Sequence, residues 1–151
     1  MFNELIEYLR GHPQMIVLLL YLIYKVLASF RTPPEIKDSR VINITSIDQY
    51  MQSLKSNKLV LVDFYAEWCP PCRAASPEFA KLSTQFTNTS FLKVNVDHVA
   101  DVAKKENIQS MPTFKLFVNG DMNANFTGFD KTKIVNKLTE LAEVPSTKKA
   151  E

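Results

Sequence analysis

The sequence predicts an α/β fold: a mixed central β-sheet flanked by helices, preceded by an N-terminal hydrophobic, transmembrane helix. Three observations carry this expectation. Leu59–Tyr65 reads Leu-Val-Leu-Val-Asp-Phe-Tyr, a nearly unbroken apolar run of the kind shown by a strand covered on both faces. Strand-like and helix-like segments alternate from Val41 onward, the order from which layered α/β domains are built. Met15–Tyr24 is a ten-residue stretch without a charged side chain.

Taken in order, Phe2, Leu5, Ile6 and Leu9 fall at i, i+3, i+4 and i+7, the apolar stripe of a short amphipathic helix over residues 1–12. Residues 13–31 read as a membrane anchor or an uncleaved signal-anchor. A helix from Met15 to Phe30 rises about 24 Å, against a hydrocarbon core of about 30 Å. Lys25 and Arg31 would lie at or beyond one end and reach the headgroups. A cleaved signal peptide and a buried helix of the globular domain compete with this reading. Glu4 and Glu7 oppose a signal peptide, whose leading region is positive, and a transit peptide. The rest of the chain supplies a complete domain without this segment. Arg10 stands on one side, and Lys25, Arg31, Lys37 and Arg40 on the other. The positive-inside rule then places the C-terminal part in the cytosol. Residues 32–40 carry a Pro-Pro pair and read as a stiff linker.

The domain is expected over 41–143. Val41–Ile44 is a short strand. Ser46 and Gln49 form a capping box ahead of Ile47, Tyr50, Met51 and Leu54, the buried stripe of a helix. Leu59–Tyr65 is the central strand, and a helix opens at the cysteines and runs to about Phe86. Phe91–Val96 is a strand and about Val99–Glu106 a helix. Thr113–Val118 and about Asn123–Thr127 flank Asn119-Gly120, a hairpin signal. A last helix covers about Asp130–Glu143, and 144–151 is a polar tail.

Composition narrows the function. With 18 basic and 16 acidic residues, the chain presents no strong field for nucleic acid. Two cysteines cannot form the dense framework of a small secreted scaffold. They stand as Glu-Trp-Cys-Pro-Pro-Cys-Arg, Cys69 and Cys72. A structural zinc needs four ligands, and His12 and His98 lie in separate segments without ligand spacing, so no metal site is expected. A staple closing two residues gains little loop entropy. A redox pair has a mechanism. With Cys69 as the N-cap, Pro70 and Pro71 take the first two helical positions, and proline suits the first. Pro71 has no N–H, so the amide of Cys72 is left to bond the Cys69 sulfur. That amide and the helix dipole favour a thiolate at Cys69. Cys72, one turn inward, would resolve a mixed disulfide. Prolines between the cysteines add no charge to stabilise the thiolate, which favours a reductant over an oxidase.

The stretches "LVLVDFYAEWCPPCRAASPEFAKL", "FLKVNVDHVADVAKKENIQSMPTFKLFVNG" and "FTGFDKTKIVNKL" resemble the thioredoxin family over about residues 41–143. The resemblance implies a thioredoxin fold and an activity as a protein-disulfide oxidoreductase. It implies that Cys69 is the nucleophile, Cys72 the resolving thiol, and Cys69–Cys72 the redox disulfide. Asp63 matches a buried acid that accepts a proton from Cys72, and a carboxylate inside so apolar a strand should have a raised pKa. Lys93 matches a lysine opposite that acid, although a solvated strand lysine explains it nearly as well. Pro112 matches a cis-proline facing the disulfide, and Met111 a backbone partner for an extended substrate. Trp68, Met111 and Gly128 match the apolar rim; with Pro70, Pro71 and Pro112 they form the expected substrate surface. Pro77 matches a helix-kinking proline. Two departures stand out: Pro70 replaces the usual glycine, and Tyr65 stands where many relatives have tryptophan.

The leading expectation is therefore a single-pass membrane-anchored disulfide reductase for cell redox homeostasis. It binds no cofactor and receives electrons from NADPH through a thioredoxin reductase; disulfide-containing proteins are its substrates. One alternative is an adaptor at a membrane with idle thiols. Another is a lumenal or secreted oxidase or isomerase, which sequons at Asn43, Asn88 and Asn125 permit.

Overall fold

The computed structural model describes residues 11–29 and 39–143. The chain divides into two units, 1–32 and 33–151.

In the first unit, α1 spans Pro13–Ser29. Its apolar side chains from Met15 to Leu27 are exposed on all sides. The Lys25 ammonium lies 5.6 Å from the Tyr21 ring centroid, one turn back. Among the described residues, no helix is long and apolar enough to cross a membrane. The described helix therefore does not by itself make the transmembrane span expected over 13–31. The described α1 has 17 residues, a rise of about 25 Å, and Lys25 interrupts its apolar run near the C-terminal end. The helix expected over 1–12 falls almost entirely outside the described residues, as do the tail at 144–151 and most of the linker at 32–40.

The second unit is an α/β domain. Its strands are β1 (Val41–Ile44), β2 (Leu59–Tyr65), β3 (Ser90–Asn95), β4 (Thr113–Val118) and β5 (Asp121–Thr127). Its helices are α2 (Ile47–Ser56), α3 (Pro70–Gln85), α4 (Ala100–Lys105) and α5 (Lys131–Glu143). The sheet order is β1-β3-β2-β4-β5. The pairs β1–β3 and β2–β3 are parallel, whereas β4 runs antiparallel to both β2 and β5. A mixed sheet with one hairpin is what the sequence predicts, and the element order matches it, with boundaries moved by one or two residues.

The reasons are local. The Ser46 hydroxyl accepts from the Gln49 amide at 3.2 Å and starts α2. The Gln49 side chain returns to the Thr45 amide at 2.8 Å, one residue before the position a capping box predicts. Asn119 and Gly120 hold φ of 53° and 87°, the doubly positive turn that matches the twist of a two-residue hairpin.

Alternation along β2 divides the core. Val60, Val62 and Phe64 pack with Tyr50 and Leu54 of α2 and Val102 of α4. Leu59 and Leu61 pack with Phe79 and Leu82 of α3 and Ile134 and Leu138 of α5. An aromatic chain fixes α3 on this face. The Phe79 ring lies 5.2 Å from Phe91 and 5.7 Å from Phe114, and Phe114 lies 5.3 Å from Phe129. Each such pair adds roughly 0.5–1.5 kcal/mol beyond burial. This matters for the site, because α3 carries the cysteines at its start. Pro77 lies inside α3, which continues through it.

Lys115 on β4 is buried. Its ammonium donates to the backbone carbonyl of Glu106 and lies 3.2 Å from the Glu106 carboxylate. That bond ties the C-terminal end of α4 to the sheet.

Candidate active site

Three pieces of backbone meet at one edge of the sheet. Strand β2 ends at Tyr65 and leads through Ala66–Trp68 into α3. Because β4 is antiparallel to β2, its first residue, Thr113, pairs with Phe64 near the end of β2. The Met111–Pro112 bond just before β4 is therefore at the same edge, and it is cis. Gly128, just after β5, has φ of 78° and donates its amide to the Pro112 carbonyl at 2.8 Å. A side chain at that φ is strained, so glycine is required there by the backbone.

Cys69 is the N-cap of α3, in extended conformation, with prolines at the first two helical positions. The amide of Cys72 donates to the Cys69 sulfur at 3.3 Å. Cys69 and Cys72 form a disulfide. Both are nearly enclosed and pack with Ala66, Tyr65, Val96 and Met111. Among the described residues, no group of three or more His, Cys, Asp or Glu side chains could hold a metal.

Around this pair the surface is apolar. Trp68 is 64% exposed, and its indole N–H donates to Asp97 Oδ2 at 2.9 Å. The bond holds a large aromatic face in solvent beside the disulfide. Pro70 and Pro71 are exposed. Pro71, Ala74, Ala75, Pro112, Gly128 and Phe129 line a shallow depression of about 290 Å³.

On the face of the sheet that α3 covers, Asp63 is fully buried, and neither carboxylate oxygen has a hydrogen-bond partner. Lys93 Nζ, from the neighbouring strand, lies 3.9 Å from Oδ2. Burial raises the Asp63 pKa from 3.8 to about 7, opposed by the Lys93 charge. Lys93 is pulled below its ordinary value by burial, with Asp63 acting the other way. Its ammonium donates to Ser76 Oγ of α3 at 2.9 Å and sits 4.1 Å from the Tyr65 ring centroid.

The structure thus gathers Cys69, Cys72, Trp68, Pro70, Pro71, Met111, Pro112 and Gly128 at one sheet edge, with Asp63 and Lys93 beneath α3. Two neighbours were absent from the sequence reading, Asp97 and Ser76. Asp97 follows β3 at the C-terminal sheet edge, where α/β sites form, and that position was a usable signal. Ser76 lies four residues after Cys72, hence on the same helix face.

A cysteine pair at a helix start, in a mixed sheet, with a cis-proline at the same sheet edge, has the arrangement of a dithiol–disulfide oxidoreductase. Comparison with known proteins is specific. Residues 41–140 match the family described as Thioredoxin, and the chain belongs to the thioredoxin family. It is 43% identical over 97 residues to a thioredoxin of Mycoplasma genitalium, covering 64% of this chain and 95% of that protein. It is 45% identical over 94 residues to thioredoxin-2 of Pyricularia oryzae, covering 62% of this chain and 55% of that protein. A solved Plasmodium falciparum thioredoxin matches with TM-score 0.63 and 37% identity, over 66% of this chain and 97% of that one. Thioredoxin homologues are protein-disulfide oxidoreductases.

Proposed function

We propose that this chain is a thioredoxin-type disulfide reductase with Cys69 as its nucleophile. The bond from the Cys72 amide to the Cys69 sulfur carries the reading, because a hydrogen bond and a helix N-terminus both favour the charged form of a thiol.

The reaction balances as two thiol–disulfide exchanges. Cys69 thiolate attacks one sulfur of a substrate disulfide, forming a mixed disulfide and expelling a substrate thiolate. Cys72 gives its proton to the Asp63 carboxylate, and its sulfur attacks Cys69. The second substrate thiolate leaves, and the Cys69–Cys72 bond forms. Two electrons have passed to the substrate. Asp63 suits the proton transfer because burial has moved it to about 7, where a base works best near neutral pH. Trp68, Pro70, Pro71, Met111, Pro112 and Gly128 supply the apolar surface for an extended substrate, and the Met111 backbone pairs with it.

A thioredoxin reductase returns the protein to the dithiol at the expense of NADPH. The full chain, supplied with both, should drive reduction of insulin disulfides with matching NADPH oxidation. An absence of NADPH oxidation above the reductase-only rate contradicts the proposal.

We further propose that residues 13–31 attach the domain to a membrane, with the domain in the cytosol. The exposed apolar side chains of α1 and the basic residues on its C-terminal side support this. The boundaries 1–12, 13–31, 32–40, 41–143 and 144–151 are part of the same proposal. Alkaline carbonate extraction with protease protection tests both points. Release into the supernatant contradicts attachment, and protection of the domain in intact membranes contradicts the orientation. Exposed asparagines at 43, 88 and 125 would then carry glycans.

A further inference from the structure

Lys93 and Asp63 face each other, yet they do not share a hydrogen bond. The 3.9 Å between Nζ and Oδ2 exceeds hydrogen-bond range. Both Asp63 oxygens are without partners, an uncommon state for a buried carboxyl. An ammonium has three donors and a flexible stem, so a further cause holds it back.

Two groups account for its position. Ser76 Oγ accepts from Nζ at 2.9 Å. The Tyr65 ring lies 4.1 Å from Nζ, centroid to nitrogen, well inside the range of a cation–π contact. Ser76 belongs to α3, one turn beyond the resolving cysteine, and Tyr65 ends β2 above Asp63. The ammonium is therefore drawn toward α3 and the strand end.

We propose that Ser76 and Tyr65 are positioning residues for the proton transfer: they hold the Lys93 ammonium short of the Asp63 carboxylate, so that Asp63 stays free to take the Cys72 proton. This rests on the reading of Asp63 as proton acceptor. Without the restraint, the ammonium closes on Oδ2 and makes a charge-assisted hydrogen bond. Such a bond stabilises the ionised carboxylate and weakens it as a base. The titratable groups around the cluster are Asp63 and Tyr65 on β2, Lys93 on β3, the cysteine pair opening α3, and Glu67 in the loop, which acts on Tyr65.

The test follows the Asp63 carboxyl carbon by NMR during a pH titration of the reduced full chain. Ser76→Ala should lower the midpoint by about one pH unit, and Tyr65→Leu should move it the same way. Ser76→Thr, which keeps the hydroxyl, should restore the parent value. In a Lys93→Met background, Ser76→Ala should change nothing, because no ammonium remains to reposition. An unmoved midpoint in Ser76→Ala overturns the proposal. So does an equal shift in the Lys93→Met background, which would mean that Ser76 acts through packing. A separate measurement tests the underlying reading. If Asp63→Asn resolves mixed disulfides at the parent rate across pH, Asp63 is not the acceptor, whatever the midpoints show.

Discussion

Cys69→Ser is expected to reduce insulin disulfides no faster than the uncatalysed background, while Cys72→Ser keeps the first step and stalls at the second. The asymmetry comes from position. Position 69 caps α3, where the Cys72 amide and the helix dipole act on its sulfur. A serine there receives the same help, but its hydroxyl is far too weak an acid to ionise near neutral pH and is a poor nucleophile without an adjacent base. Cys72→Ser leaves the Cys69 thiolate and the apolar rim in place, so a mixed disulfide forms and persists for lack of a resolving thiol. Non-reducing electrophoresis with a disulfide substrate reads both outcomes. Equal trapping by the two variants, or turnover in Cys69→Ser, contradicts the assignment of roles.

The second large effect concerns stability. In the folded protein the Asp63 carboxyl holds its proton up to a pH of about 7, against 3.8 when exposed. Between those values folding takes up a proton, so the parent loses stability as pH rises, and the loss is complete above about 7. A shift of about three units corresponds to about 4 kcal/mol. Asp63→Asn does not titrate. The variant's unfolding free energy, relative to the parent's, should therefore rise by about 4 kcal/mol between about pH 4 and pH 8. Comparing this difference at the two pH values removes the pH-independent cost of burying the amide. Denaturant unfolding at each pH measures it, and a flat difference contradicts the burial of a titrating carboxyl. The same variant should resolve mixed disulfides slowly, since Cys72 loses its acceptor. The group that assists the reaction would then be one that weakens the fold.

Much of this was legible in the sequence because its signals are local. Leu59–Tyr65 read as a strand covered on both sides from its nearly unbroken apolar run, and Asn119-Gly120 signalled a two-residue turn by its tolerance of positive φ. The placing of Cys69, two prolines and Cys72 at a helix start followed from which residues lack an amide hydrogen. Long-range partners were not legible. Lys115 sits in the run Thr-Phe-Lys-Leu-Phe-Val, and only the fold shows that it reaches Glu106 at the end of α4. The Trp68–Asp97 bond spans 29 residues, and no periodicity announces it. The Lys93–Ser76 bond joins a strand to a helix 17 residues away, and no local pattern marks it. Hydrophobicity marked the segment 13–31, but the 17 described residues of α1 do not by themselves make a full span.

The central claim is that the start of α3 acidifies the Cys69 sulfur. It is tested most directly by titrating the reduced full chain through its thiolate absorbance, with Cys72→Ser to isolate the signal. Cys69 should ionise clearly below the value of about 8.5 for a free cysteine. A midpoint at or above that value contradicts the account.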